Sequence, residues 1–289
     1  TNGTTAIDWY VPSPNGRLVA MSLSRGGSEQ GTLHVFEVDT GKELSDQIPR
    51  VQYPTGGGSA AWTADSQAIL YTRYPHQGER PAADLNFYQQ VWYHRLGTPL
   101  SQDHLELGKG FPRIAEIDLD ASQDGRWLSA SVANGDGGDL AYYLRDPSGH
   151  WHQVTHFQDG IKRFEFGRDN AAYLLSRKDA PRGKILRLPL DTPDLSHATL
   201  VVPQVKGAVE EYAPCDHGLF VSYLLGGPSV LDYYPRGSHR ARAIPILPIS
   251  TVAGLQSWHG DDLVFGNVSY LKPFAWFTYI PASRQPRRT

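Results

Sequence analysis

One pattern recurs along the whole chain: a short turn rich in Asn, Asp and Gly is followed at once by an apolar run typical of a β-strand. Asn and Gly accept positive backbone φ, and short polar side chains hydrogen-bond to the turn backbone, so these residues favour tight connections between strands. Aligned on residues 16, 66, 125, 170, 218 and 261, successive turns lie 50, 59, 45, 48 and 43 residues apart. The six turns are Pro14-Asn15-Gly16, Ala64-Asp65-Ser66, Gln123-Asp124-Gly125, Arg168-Asp169-Asn170, Asp216-His217-Gly218 and His259-Gly260-Asp261.

This spacing matches a repeat of about 40–50 residues, which is the length of a four-stranded propeller blade. The 29 Gly and 21 Pro residues favour many short strands, and no sustained apolar period of 3.6 is present, so helices should be minor. We therefore predict an all-β fold, a β-propeller of four-stranded blades with six repeats visible, in a single domain over residues 1–289 or most of one. A β-sandwich or two tandem all-β domains remain open, although no linker-like segment divides the sequence.

The two ends of the chain do not complete this pattern in an obvious way. The last turn is followed by strand-like residues 263–270 and 274–280, and then by a Pro-containing tail with Arg284, Arg287 and Arg288. We expect that tail to be frayed and solvated. Residues 1–7 could supply the missing outer strand by closing the ring, since closure removes an open sheet edge. Alternatively, the chain is a piece of a larger ring.

The 59-residue interval contains an insertion within a blade. Two β-rich segments, residues 69–74 and 91–96, flank a polar loop that is long for a hairpin. Such loops are more often functional or mobile than structural.

Composition and charge exclude several function classes. The net charge of −3 and the lack of a concentrated basic patch argue against nucleic acid as a partner. No apolar run approaches the roughly 20 residues that span a bilayer, so we expect no membrane partner and a soluble protein. The sequence does not decide its compartment, which could be the cytoplasm or the periplasm. Cys215 is the single cysteine, and we expect it to pack as a small apolar side chain.

Sequence motifs for catalysis or metal binding are weak. The Gly-x-Ser-x-Gly nucleophile elbow is absent. Residues 118, 120, 122 and 124 place oxygens at alternate positions, as calcium ligands do, but the Gly and the distal Glu of a calcium loop are missing. His150 and His152 would share one face of a strand without a nearby Cys or carboxylate to complete a zinc site. We expect no catalytic residue, no metal and no cofactor in this chain.

Beyond these residue patterns, several motifs resemble the propeller domain of the prolyl oligopeptidases, a family of serine peptidases. They follow the family's order over nearly the whole chain, and the Leu-Gly-Thr segment with its upstream Tyr-Pro is fairly specific. The motifs are Tyr71-Thr-Arg-Tyr-Pro75, Tyr88-Gln-Gln-Val-Trp-Tyr-His-Arg-Leu-Gly-Thr98, Ser101-Gln102-Asp103, Pro14-Asn-Gly-Arg-Leu-Val-Ala-Met-Ser-Leu-Ser24, Ala61-Trp62-Thr63 and Ser122-Gln-Asp-Gly-Arg126.

The resemblance implies a family-typical seven-bladed propeller that covers an α/β-hydrolase domain with a Ser-Asp-His triad and admits short peptides. This chain would correspond to the propeller without the hydrolase domain, and without the family's first blade. Tyr53 matches the position where the family's propeller offers an aromatic side chain to the substrate; packing between blades is the alternative. Residues 76–86 match the family's mobile interdomain loop, so Gln77, Glu79 and Arg80 are candidates for gating contacts; a solvated loop without a role is the alternative.

The function that follows is that of a gating and substrate-filter domain of a prolyl oligopeptidase-like serine endopeptidase, which cleaves short peptides after proline. Its expected partners are the α/β-hydrolase domain and short proline-containing peptides, and this chain alone is expected to be non-catalytic. One alternative is a stand-alone propeller that serves as a binding or interaction module, since the fold alone does not specify function. A less favoured alternative is a propeller lactonase or glycosidase.

Overall fold

The computed structural model describes residues 3–289 and is built almost entirely of β-strands. Within those residues, 24 strands form six four-stranded antiparallel sheets, each made of four strands consecutive along the chain. The helical segments are five single 3-10 turns, and no helix in the described part is long and apolar enough to cross a bilayer. The 3-10 turns are Ala82–Asp84, Leu100–Gln102, Gly135–Gly137, Phe157–Asp159 and Leu195–His197. The prediction of minor helix content is confirmed.

The chain divides into two compact units, of which the first is Thr1–Gln158. Its three sheets are β1–β4, β5–β8 and β9–β12. The strands are β1 (Thr5–Pro12), β2 (Leu18–Arg25), β3 (Gly31–Glu37), β4 (Glu43–Gln52), β5 (Ala60–Trp62), β6 (Ala68–Arg73), β7 (Gln90–Arg95), β8 (His104–Leu107), β9 (Ala115–Ala121), β10 (Leu128–Asn134), β11 (Leu140–Arg145) and β12 (Trp151–Gln153).

The second unit is Asp159–Thr289 and also contains three sheets, β13–β16, β17–β20 and β21–β24. The strands are β13 (Ile161–Phe166), β14 (Ala171–Ser176), β15 (Lys184–Pro189), β16 (Thr199–Val202), β17 (Ala208–Pro214), β18 (Gly218–Leu224), β19 (Ser229–Pro235), β20 (Arg242–Ile244), β21 (Ser250–Ser257), β22 (Leu263–Ser269), β23 (Lys272–Tyr279) and β24 (Arg287–Arg288).

Each of the six predicted turns joins the first and second strands of one sheet. The first three share a hydrogen-bond pattern in which a side-chain oxygen at the middle position accepts from the backbone N–H two residues later. The distances are 3.0 Å for Asn15 to Arg17, 3.0 Å for Asp65 to Gln67 and 3.1 Å for Asp124 to Arg126. The following residue takes positive φ, and this holds even for a serine, Ser66, at 58°. The residue types that recur in these turns are therefore the ones that the turn backbone requires.

Of the two alternatives for the ends, ring closure by residues 1–7 is wrong, and so is the expectation of a tail frayed throughout; the alternative of a larger ring stays a prediction. Residues 5–7 belong to β1 and pair with β2 in the first sheet, so they do not serve as the outer strand of the last one. That strand comes from the C-terminal tail, where Arg287 and Arg288 pair with Thr278 and Phe277 as β24. The tail is thus partly ordered by backbone hydrogen bonds to β23. Residues 1 and 2, which the ring-closing prediction also included, lie outside the described residues.

Within each unit, neighbouring sheets pack their apolar faces against each other. In the first unit, Leu33, Val35 and Ile48 of the first sheet meet Trp62 and Ile69 of the second in one buried cluster. The indole of Trp62 also donates a 2.9 Å hydrogen bond to the Val11 carbonyl of β1. In the second unit, Phe220 and Tyr233 pack with Phe265 and Tyr279 of the last sheet. Alternate residues of the strands supply both faces, as expected from the two-residue period of a β-strand.

A buried histidine joins the first two sheets in the same unit. His94 on β7 is fully buried, and its ring nitrogens lie 2.7 Å from Asp103 and 3.0 Å from Asp46 of β4. Tyr71 donates a 2.7 Å hydrogen bond to the other oxygen of Asp103, and the Gly97 N–H donates to Asp46. Burial opposes the charged ring, but the hydrogen bonds that the ring donates to both carboxylates raise the pKa of His94 above its ordinary value. The Tyr-His-Arg-Leu-Gly-Thr motif therefore supplies the histidine that links the first two sheets. We call the cluster of His94, Asp46 and Asp103 the His94 lock.

Candidate functional site

The site begins where the chain leaves the last strand of the first sheet. Beyond Val51 the backbone makes a tight turn in which Tyr53 and Gly57 exchange hydrogen bonds, with Gly57 N donating to the Tyr53 carbonyl at 2.9 Å. A side chain on Gly58 would have its Cβ 1.9 Å from the Val51 carbonyl oxygen, so glycine is required there. The turn holds the half-buried Tyr53 with its ring centroid 5.9 Å from that of Tyr74.

The predicted loop starts after Tyr74, and its first arm is anchored by an ion pair. Arg73, whose side chain is 6% exposed, forms a bidentate pair with Glu79 at 2.7 and 3.0 Å. The same carboxylate accepts a 2.7 Å hydrogen bond from His76 N, and the hydrogen bond from Arg73 lowers the pKa of Glu79. The guanidinium of Arg73 also stacks 3.9 Å over the ring of Trp92. Glu79 therefore fastens the loop tip to the sheet.

The second arm is held by arginine stacking. Arg80 lies 3.6 Å over the Tyr88 ring, and Arg113 lies 3.6 Å over the Phe87 ring. Arg113 also forms an ion pair with Asp84 at 2.8 Å. The backbone carbonyl of Arg113 accepts a 2.8 Å hydrogen bond from Tyr88 N. Tyr88 takes positive φ of 56°, which is unusual for a bulky residue.

Asn86, at the end of the predicted loop, connects it to Tyr53. Its Nδ2 donates a 2.9 Å hydrogen bond to the Tyr53 hydroxyl, and its Oδ1 accepts from Arg50 at 3.1 Å. Its carbonyl accepts from Thr55 Oγ1 at 2.6 Å, and the preceding carbonyl, of Leu85, accepts from Arg50. The loop end is thus docked against the residues 50–55.

Gln89 closes the loop and ties it to the third sheet. This fully buried amide accepts a 2.7 Å hydrogen bond from Ile117 N on β9 and donates to the Gly57 carbonyl at 3.2 Å. The Tyr74 hydroxyl donates to the same carbonyl at 3.0 Å. Burial raises the pKa of Tyr74 to about 12, so its hydroxyl stays protonated and remains a donor. These bonds fix where the loop returns to β7.

A cleft of about 210 Å³ opens beside this loop. Aromatic and acidic side chains share its wall: Tyr74 and Phe87 are aromatic, and Glu116 and Asp136 are acidic. Burial, together with the charges of Asp136 and Asp118, raises the pKa of Glu116. The remaining lining residues are Thr55, Gly56, Asn86, Arg113, Ile114, Ala115 and Gly135. The arrangement offers aromatic surface, a negative wall and hydrogen-bond donors, which suits a small polar ligand with an apolar part.

The structure brings Tyr53 together with the loop, through Asn86. The exposed tip of the loop carries Gln77, Glu79 and Arg80. Glu79 forms the ion pair with Arg73, and Arg80 stacks on the Tyr88 ring. Sequence reasoning missed the groups that dock the loop end, which are Arg50, Thr55, Asn86, Gln89 and Arg113. The sequence carried no signal for this docking, because the positive φ of Arg50 is visible only in the structure.

The other candidate residues have structural partners. Ser122 and Asp124 bond to each other at 2.7 Å within their turn, and His152 pairs with Asp146 at 2.8 Å. Among residues 3–289, no group of three or more His, Cys, Asp or Glu side chains is placed to hold a metal ion. Cys215 is fully buried, and burial raises the pKa of its thiol.

Comparison with known proteins identifies the family. The family model for the prolyl oligopeptidase N-terminal beta-propeller domain matches residues 1–288. The prolyl endopeptidase of Elizabethkingia meningoseptica is 25% identical over an alignment of 283 residues that covers 96% of this chain and 39% of that protein. Prolyl oligopeptidase A of Galerina marginata is 30% identical over an alignment of 160 residues that covers 51% of this chain and 20% of that protein.

Solved structures show the same fold. A structure from a study of two prolyl endopeptidases aligns with 99% of this chain at a TM-score of 0.85 and 20% identity. Prolyl oligopeptidase B from Galerina marginata, bound to a 25mer macrocyclization substrate, aligns with all of it at a TM-score of 0.80 and 15% identity. This chain covers 42% of each. With the six four-stranded sheets, these matches confirm the β-propeller prediction: the chain belongs to the N-terminal β-propeller domain family of the prolyl oligopeptidases.

Proposed function

We propose that this propeller domain binds short proline-containing peptides and gates their entry to the catalytic domain of a prolyl-specific serine peptidase. The chain spans 39% of the length of the Elizabethkingia meningoseptica prolyl endopeptidase. In that role the propeller supplies recognition and access, and an α/β-hydrolase domain supplies the nucleophile, base and acid. Tyr53 contacts the peptide, and the loop that carries Gln77, Glu79 and Arg80 controls access to it.

The observation that carries the proposal is the contact between Asn86 and the Tyr53 hydroxyl. The half-buried ring of Tyr53 offers a flat apolar face to a proline ring and a hydroxyl to a peptide group. Because Asn86 donates to the Tyr53 oxygen, the hydroxyl hydrogen of Tyr53 stays available to a peptide carbonyl. The same contact makes the state of the loop depend on the state of Tyr53, which is what a gate over a binding residue requires.

Calorimetric titration of the chain with a short proline-containing peptide tests this function. The chain should bind the peptide, and Tyr53→Ala should weaken binding by about two- to tenfold, the worth of one lost aromatic contact. Tyr10→Ala is the matched control, since Tyr10 is an exposed tyrosine of the same unit, far along the chain from the loop. Equal affinity of the two variants, or no binding by the wild type, would contradict the proposal.

A further inference from the structure

The segment 50–55 carries three polar side chains that all face the loop end at Leu85 and Asn86. Arg50 donates to the Leu85 carbonyl, and Thr55 Oγ1 donates to the Asn86 carbonyl at 2.6 Å. Tyr53 completes the set through Asn86 Nδ2 at 2.9 Å. Two consecutive backbone carbonyls are thus held by side chains 30 or more residues earlier in the chain.

Two of these contacts do not depend on which side chains the loop carries. Any residue can occupy a position where only its main-chain carbonyl is hydrogen-bonded, because every peptide unit presents the same oxygen. Arg50 and Thr55 would therefore bond equally well to the main chain of another peptide. The loop end fills a site whose chemistry suits peptide main chain in general.

Arg50 is incompletely satisfied by the loop. Its guanidinium bonds to two neutral acceptors, the Leu85 carbonyl and Asn86 Oδ1. Its Nε is buried, and in that part of the chain it has no hydrogen-bond partner. A buried donor left unpaired is unfavourable, so the docked loop end does not use the full hydrogen-bonding capacity of this side chain.

The backbone at both ends of the contact is also strained. Arg50 has φ of 63° and Tyr88 has φ of 56°, and neither is a residue that favours this region. Such conformations persist where surrounding contacts impose them, and here the contacts are those of the docked loop. Beside it, the cleft lined by Thr55, Tyr74 and Phe87 provides room for a ligand.

We propose that Leu85 and Asn86 act as an internal pseudo-ligand, which occupies a main-chain-binding site formed by Arg50, Tyr53 and Thr55. An incoming peptide takes over the donors of Arg50 and Thr55 with two of its own carbonyls, and the loop end leaves. This inference rests on the proposed peptide-binding function and adds its regulation: the loop competes with the peptide for the same hydrogen bonds. The apparent affinity is then the intrinsic affinity reduced by the fraction of molecules whose loop is open.

The test is Asn86→Ala in the full chain, titrated with a short proline-containing peptide whose ends are blocked. The variant removes the two side-chain hydrogen bonds of the latch and keeps the three donors of the site. We expect its Kd to fall on the order of tenfold, the effect of two ordinary hydrogen bonds lost from the closed state only. Amide exchange in residues 82–90 should become faster in the unliganded variant. Gln123→Ala, an exposed turn residue of the same unit, is the control and should change neither.

Arg50→Ala tests whether Arg50 binds the peptide or only holds the loop end in place. If Arg50 binds the peptide, its removal abolishes or strongly weakens binding although the loop is freed. Tighter binding by Arg50→Ala, as by Asn86→Ala, would overturn the assignment of Arg50 to the site.

The outcomes also distinguish this inference from the proposed function. Wild-type binding without a gain in Asn86→Ala overturns the pseudo-ligand and leaves the peptide-binding function standing. Absence of binding by the wild type and by Asn86→Ala overturns both. Unchanged exchange of residues 82–90 in Asn86→Ala refutes the latch independently of any ligand.

Discussion

The buried His94 lock gives the sharpest stability prediction. A neutral imidazole has one N–H donor, so His94 can donate to both Asp46 and Asp103 only as the imidazolium. His94→Leu leaves two carboxylates, 3% and 4% exposed, without their shared cation. Removing one partner of a buried pair costs about 3–5 kcal/mol. At roughly 2–4 °C per kcal/mol for a domain of this size, the midpoint of thermal unfolding should fall by about 6–20 °C.

The matched control is His104→Leu. His104 is 59% exposed, pairs with Glu106 at 3.2 Å and lies 4.9 Å from the Tyr93 ring, so its loss should change the free energy of unfolding by only about 1 kcal/mol or less. Urea unfolding followed by tryptophan fluorescence and circular dichroism measures both variants. Similar losses in the two variants would refute the His94 lock.

The same lock predicts a direction of pH dependence. Because the pKa of His94 is raised in the folded state, its contribution to stability is fully present below the unfolded value of 6.5. That contribution is lost as the pH rises through the folded-state pKa. The difference in unfolding free energy between wild type and His94→Leu should therefore shrink at alkaline pH, and a difference that grows with pH would contradict the assignment.

Two further changes probe the site's turn and the core. Gly58→Ala should lower the free energy of unfolding by about 3 kcal/mol or more, because the added Cβ would lie 1.9 Å from the Val51 carbonyl oxygen. The control is Gly110→Ala, whose Cβ would have nothing within 4 Å and which should leave chemical denaturation unchanged. Cys215 should not react with a thiol reagent at pH 8 in the native state, because burial raises the pKa of its thiol, and should react fully in denaturant; rapid native labelling would show that the thiol is accessible.

The sequence carries the repeat because the repeat is local. A turn such as Thr63-Ala-Asp65-Ser66 needs a capping oxygen and a residue that tolerates positive φ within four positions, and those types can be read directly. Strand β24 was missed because Arg287 and Arg288 have no strand-like pattern, and their order comes from pairing with β23. Tertiary contacts decided that element, and local propensity could not reveal it.

The candidate site divides in the same way. The loop and Tyr53 could be proposed from length and from the family motifs, but the residues that dock the loop could not. Asn86 contacts Tyr53 across 33 positions and Arg50 across 36, and Gln89 reaches Ile117 across 28. Nothing in the composition of a polar loop indicates which amide will face which hydroxyl. Such pairings require the fold.

The most direct test of the account is amide exchange in the wild-type chain with and without a saturating short proline-containing peptide. Binding usually slows exchange at a contact surface, but a displaced pseudo-ligand should behave in the opposite sense. We predict slower exchange in the turn of residues 50–57 and faster exchange in residues 82–90, with the second unit unchanged. Slower or unchanged exchange in residues 82–90, in a chain that demonstrably binds the peptide, would contradict the claim that the loop and the peptide compete for one site.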